Sequence, residues 1–255
     1  MKILLSIAFV CFTATMMAQS NAVNSGVYKW TDPLAKTNKD KSAKILEGIS
    51  DHFEYLEIRS IAQLTGARPV AIPANDDVET CLIIKEGTLQ VTVGSRNAVL
   101  GSSGVILIMP HQAYSIMNIG KGNLVYYEMR YRSKKKMDLD RGQASGGTII
   151  LNADSLKFAP SARGGGRPYF DRPTAMCERF EMHVTQLNKI GASHAPHAHA
   201  ETEIILMISG ETEMTIDGKD YKGSAGDLYI VNSQLVHGIR NATDAPCTYF
   251  AFKWK

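Results

Sequence analysis

The sequence predicts an all-β protein made of two tandem copies of one strand-rich domain, and three observations carry that expectation. Apolar segments at 55–61, 80–84, 89–93, 104–109 and 124–127 are short, rich in β-branched and aromatic residues, and separated by glycine or asparagine turns. No long segment carries the helical period, so a sandwich or barrel is the expected class. The chain also repeats itself. Leu56-Glu-Ile-Arg59 parallels Phe180-Glu-Met-His183, residues 86–93 parallel 209–216, and 104–110 parallel 226–232. A repeat of this size means two copies of one unit.

In chain order, residues 1–22 read as an export leader. Lys2 supplies the positive charge, Ile3 to Met17 is largely apolar, and Ala18 or Ala22 offers a small residue for cleavage. The apolar run is short for a bilayer span and polar Gln19, Ser20 and Asn21 follow it, so the expectation is a periplasmic or secreted protein without a membrane anchor. Residues 23–132 hold the first copy, in which the lysine-rich stretch 36–44 reads as a solvated connection. Residues 133–147 break the strand pattern and are expected to be a linker. The second copy, 148–255, resumes with Thr148-Ile-Ile-Leu151.

The 255 residues are 44% hydrophobic and 21% charged, ordinary for a folded globular chain, and a net charge of +3 gives no field that would draw nucleic acid. Loss of the leader removes Cys11 and leaves Cys81, Cys177 and Cys247, an odd set in apolar surroundings that reads as free buried thiols. A Cys177–Cys247 bridge is left open, as is a homodimer through sheet edges or swapped terminal strands.

The chemistry concentrates in the second copy. In Gly191-Ala-Ser-His-Ala-Pro-His197-Ala-His199-Ala-Glu-Thr-Glu203, the residues His197, His199 and Glu203 share one parity and would converge if the strand were regular there. His237, in a second apolar run from Gly226 to Asn241, is the candidate fourth ligand. Imidazoles with one carboxylate suit a divalent transition metal, one ion per chain (Mn, Fe, Ni, Zn or Cu), rather than calcium or magnesium.

These residues resemble the cupin superfamily. Gly191, His197, His199, Glu203 and Gly210 fall on its first motif without departure. Gly226, His237 and Asn241 fall on its second, which departs at Asn232, where proline is usual, and at Gln234, where glycine is usual. The resemblance covers nearly all of the chain as a bicupin and implies two double-stranded β-helix (jelly-roll) barrels in tandem. In the first copy, setting Gly87 against Gly210 brings Ala74, Asp76 and Thr80 to the ligand positions, and setting Gly104 against Gly226 brings Ser115 opposite His237. That copy is expected to be metal-free, and a one-residue shift placing Glu79 at the Thr80 position would not rescue it.

Open positions on such a metal imply chemistry. The expected protein is an exported, metal-dependent bicupin enzyme acting on a small oxygen-rich metabolite, a sugar acid or other carboxylate, by isomerisation, decarboxylation, hydrolysis or dioxygenation. The alternative is a metal-containing sugar or carboxylate binding protein without turnover. Glu203 and His183 are the candidate catalytic groups. Glu181 is a weaker candidate for lining the pocket, His194 for supporting the ligands or forming a lid, the Arg163-Gly-Gly-Gly-Arg167 stretch for a mobile loop that brings guanidinium groups to an anionic substrate, and Gln234 and Asn241 for orienting His237 or the turn around it.

Overall fold

In the computed structural model, residues 21–37, 41–74 and 77–255 are described, so nearly all of the leader 1–22 lies outside the described residues. The first half runs through β1 (Gly26–Tyr28), β2 (Ser42–Gly48), β3 (Phe53–Gln63), β4 (Val70–Ile72), β5 (Glu79–Glu86), β6 (Leu89–Val93), β7 (Arg96–Leu100), β8 (Val105–Ile108), β9 (Tyr114–Asn118) and β10 (Leu124–Ser133). After the helix α1 (Leu139–Ala144) come β11 (Ile149–Leu151), β12 (Ala159–Ser161), β13 (Gly164–Arg172), β14 (Phe180–Leu187), β15 (Gly191–Ala192) and β16 (Thr202–Ser209). The chain closes with β17 (Glu211–Ile216), β18 (Lys219–Ser224), β19 (Leu228–Val231), β20 (His237–Asn241) and β21 (Cys247–Trp254). Among the described residues no helix is long and apolar enough to cross a membrane.

Each copy is a jelly roll of one large and one small antiparallel sheet. The first has the order β11-β8-β5-β10-β3-β2 faced by β4-β9-β6-β7; the second has β1-β19-β16-β21-β14-β13-β12 faced by β15-β20-β17-β18. The halves exchange edge strands. β1 pairs with β19, Gly26 opposite Ile230, and β11 pairs with β8, Ile149 opposite Leu107. Asp227 fixes the first exchange by accepting from Lys29 Nζ (2.8 Å) and Trp30 N (2.8 Å).

The large sheets bury both faces, which is why segments such as 80–84 read as continuous apolar runs instead of alternating ones. Leu82 and Ile84 point into the first barrel and Ile205 and Met207 into the second. Their neighbours Cys81, Ile83, Ile204 and Leu206 meet in a shared core between the large sheets, where Phe53 stacks on Trp254 (centroids 5.0 Å apart) and Tyr131 (4.6 Å). Glu79 is buried at this junction. It accepts from Tyr131 Oη (2.7 Å), Thr174 Oγ1 (2.7 Å) and Ala175 N (3.3 Å), so its side chain serves the contact between copies and not a ligand position in the first barrel.

The segment 133–147 is not a bare linker. It holds α1, capped by Asp138 accepting from Arg141 N (2.8 Å), and a Cβ on buried Gly142 would lie 2.9 Å from Ala175 N. Six residues are too few to show a helical period in sequence. Cys81, Cys177 and Cys247 are free and buried. The bridge left open for Cys177 and Cys247 does not form: Cys247 begins β21, while Cys177 precedes β14, whose Phe180 pairs with Trp254 at the other end of that strand.

Candidate metal centre

The four candidate ligands come together, by a different route from the one expected. His197 and His199 lie in the segment between β15 and β16, not on a regular strand. An antiparallel bridge brings His197 to His237, with His197 N donating to the His237 carbonyl (3.0 Å) and His237 N to the His197 carbonyl (2.9 Å). Gln234 N donates to the His199 carbonyl (2.8 Å), and Glu203 enters from β16. One ring nitrogen of each of His197, His199 and His237 lies within 4.8 Å of the others. Glu203 Oε2 stands 3.0 Å from His237 Nε2 and 3.5 Å from His199 Nε2.

The ring orientations decide what this cluster is for. His199 Nδ1 is 3.0 Å from the Glu201 carbonyl and His237 Nδ1 is 2.8 Å from the Leu235 carbonyl. A carbonyl only accepts, so each Nδ1 carries the proton and each Nε2 keeps its lone pair. Both Nε2 atoms are buried and make no aligned hydrogen bond, and the Glu203 carboxylate approaches that of His237 to 3.0 Å without hydrogen-bond alignment. Buried lone pairs without donors are costly unless a cation takes them, so the residues fit a metal ion.

Burial lowers the His237 imidazole, but the Glu203 carboxylate outweighs it and raises the group, drawing onto it the positive charge that a metal ion would supply instead. Burial pushes the Glu203 carboxyl up, yet the adjoining imidazoles of His199 and His237 outweigh it and hold the group at about 2. His197 is pushed down by burial and by its imidazole neighbours, which favours the neutral, ligating form. The cluster opens on a cavity of about 190 Å³ inside the second barrel, lined among others by His183, His194, Tyr249 and Lys253.

Comparison with known proteins follows the same line. The cupin domain family matches residues 185–253, which span all four candidate ligands. Residues 185–253 therefore carry a cupin domain. Among solved structures, AerE from Microcystis aeruginosa superposes with a TM-score of 0.66 at 12% identity, covering 91% of this chain and 98% of that one. A point mutant of salicylate 1,2-dioxygenase from Pseudoaminobacter salicylatoxidans superposes at 0.61 with 10% identity over 92% and 84%. An oxalate decarboxylase from Lactobacillus farciminis, in a formate complex, superposes at 0.59 with 10% identity over 87% and 87%. At these identities the likeness is one of fold, and it spans both halves of this chain. No curated protein matches the chain by sequence.

The second copy departs from the usual second motif at Asn232 and Gln234. Asn232 is bonded to the exchanged N-terminal segment, its N donating to Ser25 Oγ (2.9 Å) and its Nδ2 to the Val23 carbonyl (3.1 Å). Gln234 adopts φ 66°, the left-handed conformation for which glycine is the ordinary choice. Asn241 does not touch His237; its Nδ2 donates to the Ala245 carbonyl (2.8 Å) and secures the β20–β21 turn.

Other candidate residues divide. His183 lines the cavity and its Nδ1 is 2.5 Å from Glu181 Oε1, while Glu181 Oε2 pairs with Lys253 Nζ (3.3 Å). His194 packs edge-on against His197, 4.6 Å between centroids. Arg163 and Arg167 stay outside. Arg163 donates to the Ala192 carbonyl (3.1 Å) and to that of Ser193, Arg167 lies over the Phe158 ring (5.4 Å), and the glycines between them belong to β13 rather than to a loop.

The structure adds Tyr249 and Lys253, which the sequence does not single out. The only signal for them is the period of two in Tyr249-Phe-Ala-Phe-Lys253: the odd positions line the cavity while Phe250 and Phe252 enter the core between the copies. Burial pushes the Tyr249 phenol up to about 12, so it remains a proton donor at neutral pH.

Among the described residues the first copy lacks the cluster, and its register corrects one expectation. Ser103 (φ 63°) occupies the turn held by Gly226 (φ 97°) in the second copy: Ser103 N donates to the Ile84 carbonyl as Gly226 N does to that of Met207. Tyr114, not Ser115, therefore stands where His237 stands, and it pairs with Ile72 as His237 pairs with His197. Asp76, expected opposite His199, lies outside the described residues.

Proposed function

We propose that this cupin is an enzyme that uses one divalent transition metal ion per chain, held by His197, His199, Glu203 and His237, to act on a small oxygen-rich metabolite such as a sugar acid or other carboxylate. The observation that carries the reading is the pair of buried Nε2 atoms on His199 and His237, without donors, facing the Glu203 carboxylate beside a small cavity. A bound ion of this kind would polarise a substrate oxygen or activate water. The chain's own groups supply the rest. A cavity of about 190 Å³ admits only a small molecule. Lys253 gives a positive charge for a carboxylate, and Tyr249 gives a hydroxyl donor.

We assign His183 as the proton-transfer group. Its Nδ1 is engaged with Glu181, which fixes the ring, and its other nitrogen is left for the cavity. The fold likeness to a dioxygenase and a decarboxylase supports an enzyme that acts on small acids without selecting the reaction.

The test is a screen of the metal-loaded protein against sugar acids and small carboxylates, following oxygen uptake, carbon dioxide release and product by NMR. A turnover signal that Glu203→Ala abolishes, and that His183→Gln lowers in kcat by about 100-fold with a flattened pH profile, is expected. Full turnover in Glu203→Ala overturns the role given to the metal site, and saturable binding with every ligand recovered unchanged overturns the enzyme and leaves a binding protein.

Export to the periplasm or medium is part of the proposal. It rests on residues 1–22 and is tested by the intact mass of the protein recovered from its source, which should lack Cys11.

A further inference from the structure

The first barrel has its own cavity, on strands equivalent to those that line the cavity beside the candidate metal site, and it is larger, about 650 Å³ against 190 Å³. Equivalent strands build both. Tyr126, Glu128 and Arg130 on β10 stand where Tyr249, Ala251 and Lys253 stand on β21, and Arg59 opposite Glu128 stands where His183 stands opposite Ala251. The imidazole cluster has been replaced here. Tyr114 stands at the His237 position, where burial and the nearby Glu128 charge push its phenol up and keep it neutral.

What remains is an amphipathic pocket. Its walls are Ile61, Ala62 and Ile72, and its mouth carries Leu64 and Val70, each 46% exposed and so two of the few large apolar side chains that face solvent. Three cations, Lys41, Arg59 and Arg130, face the single lining acid Glu128. Arg59 is already committed, its NH1 to Glu57 Oε1 (3.2 Å) and its NH2 to Ser42 Oγ (2.9 Å), and Lys41 Nζ donates to the Lys36 carbonyl (2.6 Å). Arg130 feels the charge of Glu128 along the strand, but among the described residues its guanidinium makes neither a hydrogen bond nor an ion pair. A guanidinium at the wall of an apolar cavity, with its donors uncommitted, is suited to a planar anion presented on an apolar body.

We propose that the first barrel is a second, metal-independent ligand site that binds a small organic carboxylate with an apolar body, its carboxylate on Arg130 and its body against Ile61, Ile72, Leu64 and Val70. Tyr114 keeps the site metal-free, and the exposed Leu64 and Val70 are covered when it fills. Arg59, held by Glu57 and Ser42, contributes positive potential from the adjacent strand.

Benzoate is the probe, titrated calorimetrically into chelator-treated protein, with benzyl alcohol as the neutral molecule of the same body. Saturable binding at one site per chain is expected, unchanged in His197→Ala, weakened about tenfold or more in Arg130→Gln, and weaker by a similar factor for benzyl alcohol. Val70→Glu, a change on the exposed rim, should weaken benzoate as well and decides the matter if Arg130→Gln does not fold. No saturable binding of benzoate up to about 10 mM, equal binding of benzyl alcohol, or binding lost in His197→Ala and kept in the Arg130 and Val70 variants, overturns the proposal.

Discussion

At the scale of single residues, the candidate metal centre is set by which atom of each imidazole is already occupied. Backbone carbonyls of Glu201 and Leu235 hold Nδ1 of His199 and His237, so the atoms left to ligate are fixed before any ion arrives. Glu203→Gln should keep the fold and lose metal affinity by at least about 100-fold in competition with a chelator, the upper end of what even outer partners of a ligand are worth. His183→Gln should leave metal content unchanged, because His183 contacts Glu181 and the cavity and is not among the clustered nitrogens. The cluster is legible in the sequence because the identities and the spacing of its residues are both unusual. Tyr249 and Lys253 are not, because a strand buried on both faces shows an apolar run and conceals which alternate positions meet a cavity.

At the scale of elements, the turns decide register. The turn before β20 places Gln234 at φ 66°, and the matching turn before β9 places His111 at φ 63°. The exposed Gln234 carries this conformation in place of the usual glycine, at a cost of roughly 1–2 kcal/mol for a residue with a Cβ. Gln234→Gly should therefore leave the melting temperature equal or higher. Gln234→Val should lower stability by about 1 kcal/mol or more and shift His237, seen as weaker metal binding, since a β-branched residue is a true outlier there. The same kind of substitution misleads an alignment of the two copies. Ser103 takes a positive φ where the second copy has Gly226, and matching glycine to glycine moves the first copy by one residue, from Tyr114 to Ser115. In a strand one residue is the difference between the two faces. The helix at 139–144 is hidden for the opposite reason: its stability comes from its cap and from packing on Ala175, neither of which leaves a periodic trace.

At the scale of the molecule, the two copies are one structure. Their large sheets share a core, their edge strands are exchanged, and Phe53, Tyr131, Phe180 and Trp254 interlock between them. Phe53→Ala should cost about 3–5 kcal/mol and lower a single calorimetric transition; two separated transitions, with only the first moved, would mean that the copies melt independently. Glu79 provides a pH test of the same contact. Burial pushes its carboxyl up, against hydrogen bonds from Thr174, Tyr131 and Ala175 that pull it down, and the balance is a raised value. A raised value in the fold favours the protonated form, so this group's contribution is fullest below about pH 4.3 and declines as pH rises through the folded value. The melting temperature of Glu79→Gln minus that of wild type should therefore grow between about pH 4 and about pH 7, and a difference that shrinks would show the carboxylate to be the stabilising form. The repeat in the sequence announces two copies; the exchange of β1 and β11 is not legible there, because a three-residue strand carries no signal of which sheet it joins.

Whether His197, His199, Glu203 and His237 hold a metal is decided by elemental analysis by mass spectrometry of protein purified from its native compartment, beside the His197→Ala/His237→Ala variant. About one transition-metal atom per chain in the wild type and none in the variant is the expected result. Equal metal in both, or none in the wild type even after reconstitution with manganese, iron, nickel, copper and zinc, would contradict it.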